Sequence, residues 1–112
     1  MKVYLSLPIS GYDQKERWNY AARTCAALTW EHPDWHVVNP FHVMSRLHRE
    51  KMERTGRVDL PTYEEMMEAD LNELSDCQLA VFCPGWNASE GCKREMELCR
   101  QEKIDVMFLS KI

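Results

Sequence analysis

Two acidic residues lie at helical positions that the sequence pattern directs inward. Ser89 is a favourable N-cap, and a helical pattern follows it. Cys92, Met96 and Cys99 form one apolar stripe at the helical repeat, and Glu95 falls beside that stripe rather than on the far side. A carboxylate at the edge of an inward face is costly unless it is paired or useful. Glu95 is therefore either a boundary residue paired with an Arg or Lys, or a group placed for chemistry.

Asp70 is the second such carboxylate. Thr62 and Glu65 have the spacing of a capping box, which predicts that a helix begins near Thr62. Asp70 is four residues from both Met66 and Leu74, in the middle of the apolar stripe of that helix. One inward carboxylate is commonly structural, but two on helices that flank the same strand suggest a pair built for chemistry. We expect Asp70 to be the more buried of the two and the better candidate for a raised pKa.

Alternating strand and helix patterns must position these residues. Short apolar runs predict four strands, at residues 2–7, 35–38, 78–83 and 106–109. Periodicity predicts helices over residues 13–31, from Thr62 onward and from Ser89 onward. The inward face of the first helix is predicted to contain Trp18, Ala21, Ala22, Cys25, Leu28 and Thr29. The whole chain, residues 1–112, is predicted to be a single α/β domain. Its core is a small doubly wound, flavodoxin- or Rossmann-like parallel sheet of four to five strands with helices on both faces.

In such a sheet, ligands bind beyond the carboxyl ends of the strands, at the topological switch point. Three predicted turns converge there and contain the candidate ligand-binding residues Ser6, Pro8, Ile9, Ser10, Gly11, Asn39, Gly85, Trp86, Ser89 and Gly91. The glycines in or next to these turns allow the backbone to approach a ligand closely. Their spacing is neither that of a dinucleotide-binding fold nor that of a P-loop.

The overall composition limits the partners. The 112 residues contain 14 Lys and Arg against 18 Asp and Glu, for a net charge of −4. A nucleic acid polymer or an anionic membrane requires a basic face, so neither is expected as a partner, whereas a small anionic metabolite needs only local positive charge. The five cysteines lack zinc-site spacing, which predicts reduced core thiols and no metal. A signal-peptide pattern is lacking, and we expect a cytoplasmic protein.

Several short motifs match a known group of proteins. They are residues 4–11, Asn39-Pro40, residues 69–71, Asp76, residues 84–86 and the spacing Ser89-x-Gly91-x-x-x-Glu95. In these motifs the sequence resembles the nucleoside 2-deoxyribosyltransferase superfamily, and most closely its small DUF4406-type branch. The resemblance spans nearly the whole chain and is weak between residues 41 and 61.

The resemblance implies cleavage of the N-glycosidic bond of a (deoxy)nucleoside or its 5′-monophosphate, with transfer of the sugar to another base or to water and with no cofactor. It implies that Glu95 is the nucleophile, that Asp70 protonates or holds the departing base, and that Tyr4 orients the nucleophile. Ser89 matches a Ser that contacts a substrate phosphate in the nucleotide hydrolases. Those hydrolases carry an Arg where this chain has Ser10, which leaves recognition of a 5′-phosphate open.

Residues 41–61 are the least readable stretch. Between His42 and Arg57 there are five Lys or Arg against two Glu. Val43 and Leu47 are compatible with a helical piece that Thr55-Gly56 breaks. The segment is either a solvated surface helix or a lid that carries positive charge toward an anionic ligand. The resemblance also implies a homodimer or higher homo-oligomer, in which this segment is a candidate contact.

The implied chemistry fits the residue types. An oxocarbenium-like transition state requires an ionised carboxylate near the anomeric carbon and a second group that protonates the base. Two carboxylates in different environments can hold those two protonation states. The alternative is a non-catalytic nucleotide-binding module that uses the same pocket. An intact set of Glu95, Asp70 and Tyr4 favours the enzyme, whereas a closed pocket or a distant Glu95 favours the module. Trp86 and Trp18 are candidates to stack on a nucleobase, although a Trp in this pattern is more often a core or rim residue.

Overall fold

In the computed structural model, which describes residues 1–110, four strands alternate with helices. The strands are β1 (Lys2–Ser6), β2 (His36–Val38), β3 (Leu79–Phe82) and β4 (Asp105–Phe108). The helices are α1 (Gln14–Glu31), α2 (Pro40–Thr55), α3 (Tyr63–Ser75) and α4 (Glu90–Glu102). A short 3-10 turn, Trp86–Ala88, joins β3 to α4. Every predicted strand and helix is therefore present, with ends that differ by a few residues.

The four strands form one parallel sheet in the order β2-β1-β3-β4. Strand β1 lies between β2 and β3, with Tyr4 level with Val38 on one side and Ala80 on the other. The winding direction reverses between β1 and β3, so the crevice of a doubly wound sheet lies beyond the carboxyl ends of these two strands. The predicted fold class is confirmed.

The two faces of β1 have different chemistry. Val3, Leu5 and Leu7 pack with α1 residues on one face of the sheet. Tyr4 belongs to the core cluster of the other face, which also contains residues of α3 and α4. Because side chains alternate along a strand, Ser6 points to the same face as Tyr4. The face toward α3 and α4 thus carries two hydroxyl groups within an otherwise apolar layer.

Helices α2, α3 and α4 begin or end at capping residues that the sequence pattern indicates. The side chain of Thr62 accepts a hydrogen bond from the backbone N–H of Glu65, and the reciprocal bond completes the capping box. Ser89 caps α4 by accepting from the backbone N–H of Cys92. Helix α2 ends at Gly56, which adopts a left-handed conformation with φ of 71°. These caps fix where α3 and α4 begin, and therefore the turn on which Asp70 and Glu95 lie.

The predicted inward face of α1 is partly wrong. The buried residues of α1 are Arg17, Ala21 and Leu28. Trp18 is 46% exposed and packs edge-on against Phe41 of α2. Ala22 and Thr29 are also exposed. An arginine is not expected in a core, but the guanidinium of Arg17 lies between two tyrosine rings, and this contact permits its burial.

The basic stretch before Gly56 is a helix that is docked on α3. Arg46 pairs with Glu73, and Lys51 and Arg54 pair with Glu65. Its cations are thus directed at acidic side chains of the neighbouring helix rather than at the carboxyl edge of the sheet. Among the described residues, no helix is long and apolar enough to cross a membrane.

Candidate functional site

Glu95 projects from α4 into the core of the domain. Its residue is 5% exposed, and Cys92 and Cys99 on the same stripe are also buried. Met96, at the other edge of the predicted stripe, is only half-buried. The buried face of α4 is therefore rotated by about 30–40° from the predicted one, toward Glu95. This rotation places the carboxylate on the buried face rather than beside it.

Two hydroxyl groups of β1 hold the Glu95 carboxylate. The phenol of Tyr4 donates to Oε2 at 2.5 Å, and the hydroxyl of Ser6 donates to Oε1 at 2.7 Å. Both donors are buried, with exposures of 1% and 0%. Within residues 1–110, Glu95 forms no salt bridge with an Arg or Lys, so the boundary-pair interpretation does not describe it. Each oxygen instead accepts one neutral hydrogen bond.

The pKa of Glu95 reflects two opposing effects. Burial disfavours its charge and raises the pKa to about 7, while the hydrogen bonds from Tyr4 and Ser6 stabilise the anion and oppose that rise. The pKa of Tyr4 lies well above its usual range because of burial and the nearby charges of Glu95 and Asp70. Tyr4 therefore keeps its proton and acts as a donor at any ordinary pH.

Asp70 lies on α3 and is partly buried. Burial raises its pKa to about 8, with further increases from the charges of Glu95 and Glu73. Among the described residues its carboxylate has no hydrogen-bond donor, in contrast to that of Glu95. The expectation that Asp70 is the more buried carboxylate is wrong, since Glu95 is more buried. The pKa of Asp70 is raised by burial and by the charges of Glu95 and Glu73, with no hydrogen bond among the described residues to oppose the rise as at Glu95.

A cavity of about 530 Å³ opens at the N-terminus of α4. It is lined by Ser10, Tyr63, Ala88, Ser89, Glu90, Gly91 and Arg94. Gly91 is one helical turn before Glu95, so the cavity wall at Gly91 is about 6 Å along the helix from the Glu95 backbone. A Cβ at position 91 would lie 3.4 Å from Sδ of Met67 and 3.8 Å from the Tyr63 hydroxyl. Both are ordinary van der Waals distances, so a methyl group would fit between α3 and α4 at this level.

The other predicted ligand-binding residues are distributed around the carboxyl edge. Pro8 is buried, Ile9 is half-buried and Gly11 is exposed, with φ of 86°. Asn39 is buried, and its side chain caps α2 by accepting from the backbone N–H of Phe41 at 2.9 Å. The structure thus brings Ser10, Ser89 and Gly91 to one cavity, whereas the Asn39 side chain is occupied within its own turn.

The turn after β3 packs largely on its neighbours. The ring of Trp86 contacts Phe82 and Phe108, with centroid distances of 5.4 and 5.5 Å. Gly85 adopts φ of 90° and lies against Tyr12 on the α1 side of the sheet. Trp86 is therefore a rim residue of the core cluster in this structure.

Sequence reasoning missed four residues of the cavity, Tyr63, Ala88, Glu90 and Arg94. The Arg94 guanidinium lies over the Tyr63 ring at 5.9 Å and pairs with Glu64. The spacing of Gly91 and Arg94, three residues apart on one helix, is the signal that would have placed Arg94 on the cavity side.

The cysteine thiols do not offer an alternative nucleophile. Cys83 and Cys92 are buried free thiols, and burial raises their pKa values to about 12 and about 11. A thiol is a poor nucleophile until it is ionised. The carboxylate pair is therefore the better candidate for reactivity at neutral pH.

Fold and site together define a small doubly wound α/β domain with a buried, doubly hydrogen-bonded glutamate at its switch point. A family model described as a domain of unknown function, DUF4406, matches residues 1–108. The chain belongs to the DUF4406 family. Searches of curated proteins and of solved structures return no significant match to this chain.

Proposed function

We propose that this domain cleaves the N-glycosidic bond of a (deoxy)nucleoside or its 5′-monophosphate, with Glu95 as the nucleophile. The observation that carries the proposal is that Tyr4 and Ser6 both donate hydrogen bonds to the Glu95 carboxylate. This carboxylate is close enough to Asp70 for the two charges to interact. The resemblance of the chain to the nucleoside 2-deoxyribosyltransferase superfamily supports the same assignment.

In the first step of the proposed reaction, an oxygen of Glu95 forms a bond to C1′ while the bond from C1′ to the base nitrogen breaks. The proton on Asp70 passes to the departing base, which therefore leaves as a neutral molecule. The hydrogen bonds support these roles, because Tyr4 and Ser6 stabilise the charged form of Glu95, whereas burial and the charge of Glu95 raise the pKa of Asp70 and favour its protonated form. The two hydroxyl donors then fix the direction of the Glu95 carboxylate.

In the second step, Asp70 accepts a proton from water or from an incoming base, and that nucleophile displaces Glu95 from C1′. The same residue thus acts as acid and then as base. The cavity beside Gly91 is the proposed site for the sugar and base, and Glu95 and Asp70 lie behind its wall rather than among its lining residues. Its lining contains the hydroxyl of Ser89, a backbone turn and Arg94, groups that suit a polar nucleoside.

The experiment that tests this proposal measures the release of free base from ribo- and deoxyribonucleosides and their 5′-monophosphates. Wild type is compared with Glu95→Gln and with Glu97→Gln, an exposed glutamate on the same helix. We expect release by wild type and Glu97→Gln and a loss of at least about a thousandfold in Glu95→Gln, since covalent catalysis depends on that oxygen. Equal release by both variants would remove Glu95 from the reaction.

A non-catalytic nucleotide-binding module is the second candidate, and one observation favours it. Glu95 is only 5% exposed, and both of its oxygens already accept hydrogen bonds. A carboxylate in that position can stabilise the fold without reaching a sugar. Tight binding of a nucleotide with no base release by wild type would support this module, and structural loss in Glu95→Gln would accompany it.

A further inference from the structure

A second cavity lies on the α1 side of the sheet. Its volume is about 750 Å³, and it runs along α1 beside the turn at Pro84-Gly85. Its lining includes Tyr12, Arg17, Tyr20, Arg23 and one acidic residue, Glu31. Glu95 and Asp70 lie on the opposite face, where α3 and α4 pack, so this cavity is separate from the proposed nucleoside site.

Arg17 is a buried cation in this cavity. It is 7% exposed, and its guanidinium lies 4.5 Å from the centre of the Tyr12 ring and 4.7 Å from that of Tyr20. Its Nη1 donates to the Pro8 carbonyl at 3.4 Å. Arg17 also lies in the first turn of α1, where the helix dipole disfavours positive charge. A buried cation at that end of a helix requires an anion beside it.

The anion in this structure is the side chain of the preceding residue. Glu16 accepts hydrogen bonds from Nε and Nη2 of Arg17 while remaining half-exposed to solvent. Adjacent residues of a helix point in different directions, so Glu16 must bend toward the guanidinium to make this contact. The Arg17 contact, and secondarily the charge of Arg23, lower the pKa of Glu16. Arg23 forms no salt bridge within residues 1–110.

We propose that this cavity binds the phosphate group of a small phosphorylated molecule, and that the phosphate takes the Arg17 guanidinium from the Glu16 carboxylate, which does not itself line the cavity. The planar fork of Arg17 matches two phosphate oxygens, and Arg23 supplies the second charge for a dianion. Tyrosine and threonine hydroxyls line the same wall. The volume is in the range that holds a molecule of mononucleotide size. The site does not depend on the chemistry of Glu95.

Titration calorimetry with inorganic phosphate tests this site in the intact chain. Glu16→Gln removes the competing carboxylate but keeps the side-chain shape, so phosphate binding should become about tenfold tighter. Arg23→Gln should weaken binding by about tenfold, because it removes one charge of the pair. Arg23 is exposed, so this variant is expected to fold even where a change at Arg17 does not.

Two variants serve as matched controls. Glu53→Gln, an exposed glutamate of α2, changes the net charge as Glu16→Gln does and should leave phosphate affinity within about twofold of wild type. Arg94→Gln alters the cavity at the N-terminus of α4 and should also leave the phosphate affinity unchanged. Equal affinity of wild type and Glu16→Gln, weakening by Arg94→Gln instead of Arg23→Gln, or tighter binding of succinate than of phosphate would each overturn the proposal.

Discussion

The hydroxyl of Tyr4 lies 2.5 Å from Oε2 of Glu95, although the two residues are 91 positions apart in the chain. The contact joins the central strand of the sheet to the last helix. It is accompanied by the Ser6 hydrogen bond to the other carboxylate oxygen. One strand thus supplies both hydrogen bonds that stabilise the charged form of the buried glutamate.

Tyr4→Phe should raise the pKa of Glu95. The variant removes a hydrogen bond to the charged form, and such bonds are worth about 1.5–3 kcal/mol, or about one to two pKa units. Carbon-13 NMR of the glutamate carboxyl resonances across pH measures the shift. Tyr63→Phe, which alters an exposed tyrosine of α3, is the control and should leave the pKa of Glu95 unchanged. An unchanged Glu95 titration in Tyr4→Phe would contradict this account.

The raised pKa values of Asp70 and Glu95 predict that stability falls as pH rises. The folded protein keeps protons on these groups up to pH about 8 and about 7, whereas the unfolded chain releases them near its ordinary values. The stabilisation is complete below the unfolded pKa values and is lost as pH passes through the folded ones. Urea unfolding at pH 5.5, 7 and 9 should therefore show the lowest free energy of unfolding at pH 9.

Asp70→Asn provides the matched variant for that series. The asparagine is neutral at every pH. The free energy of unfolding of Asp70→Asn minus that of wild type should therefore increase by on the order of 2 kcal/mol between pH 5.5 and 9. This figure is lower than the full shift would give, because Asp70 is partly exposed to solvent. A difference between the two proteins that stays constant with pH would show that Asp70 titrates in the ordinary range.

In the proposed reaction, Asp70→Asn should affect poor leaving groups most. Loss of the acid slows the release of a base that must be protonated by about 10²–10⁴-fold. A 2-deoxyriboside of p-nitrophenol leaves without protonation and should be cleaved at a rate much closer to that of wild type. The two substrates are compared in single-turnover assays with both proteins. Equal slowing of both would assign Asp70 a structural role instead of an acid role.

Gly85→Ala should destabilise the domain by about 2 kcal/mol. The residue adopts φ of 90°, which strains a side chain, and a Cβ there would lie 3.0 Å from the Tyr12 hydroxyl. Gly56→Ala is the control, since Gly56 also has positive φ but has open space around it, and it should cost only about 1 kcal/mol. Combining Gly85→Ala with Tyr12→Phe should recover part of the difference in thermal unfolding. No recovery would attribute the whole cost to the backbone.

The strands and caps were predictable because they depend on local chemistry. Apolar runs mark the three longer strands, and Thr62 and Ser89 cap the helices that were placed after them. The burial of Arg17 was not predictable, because it depends on the packing of the Tyr12 and Tyr20 rings against its guanidinium. The docking of α2 on α3 through acidic partners was likewise not predictable, because no local pattern reveals which helix lies beside it.

The contact between Tyr4 and Glu95 agrees with the residues chosen from the sequence, but the other details of the candidate site were not predictable. Sequence pattern and resemblance together selected Glu95, Asp70 and Tyr4. The relative burial of the two carboxylates was wrong, because the exact rotation of α4 is decided by packing against β1. The role of Ser6 as a second donor to Glu95 could not be inferred either. It requires that Ser6 lie on the face of β1 toward α4 and that the rotation of α4 turn Glu95 toward β1.

Tyr4 and Ser6 reach Glu95 only from one of the two sides of β1, and that side is fixed by how β1 aligns with β2 and β3. A misfolded chain in which β1 had shifted by a single position would turn both hydroxyls toward α1 and bury a bare carboxylate beneath α4. Such a shift would leave the buried carboxylate without its two hydrogen bonds, so the contacts of Tyr4 and Ser6 with Glu95 favour the observed strand alignment.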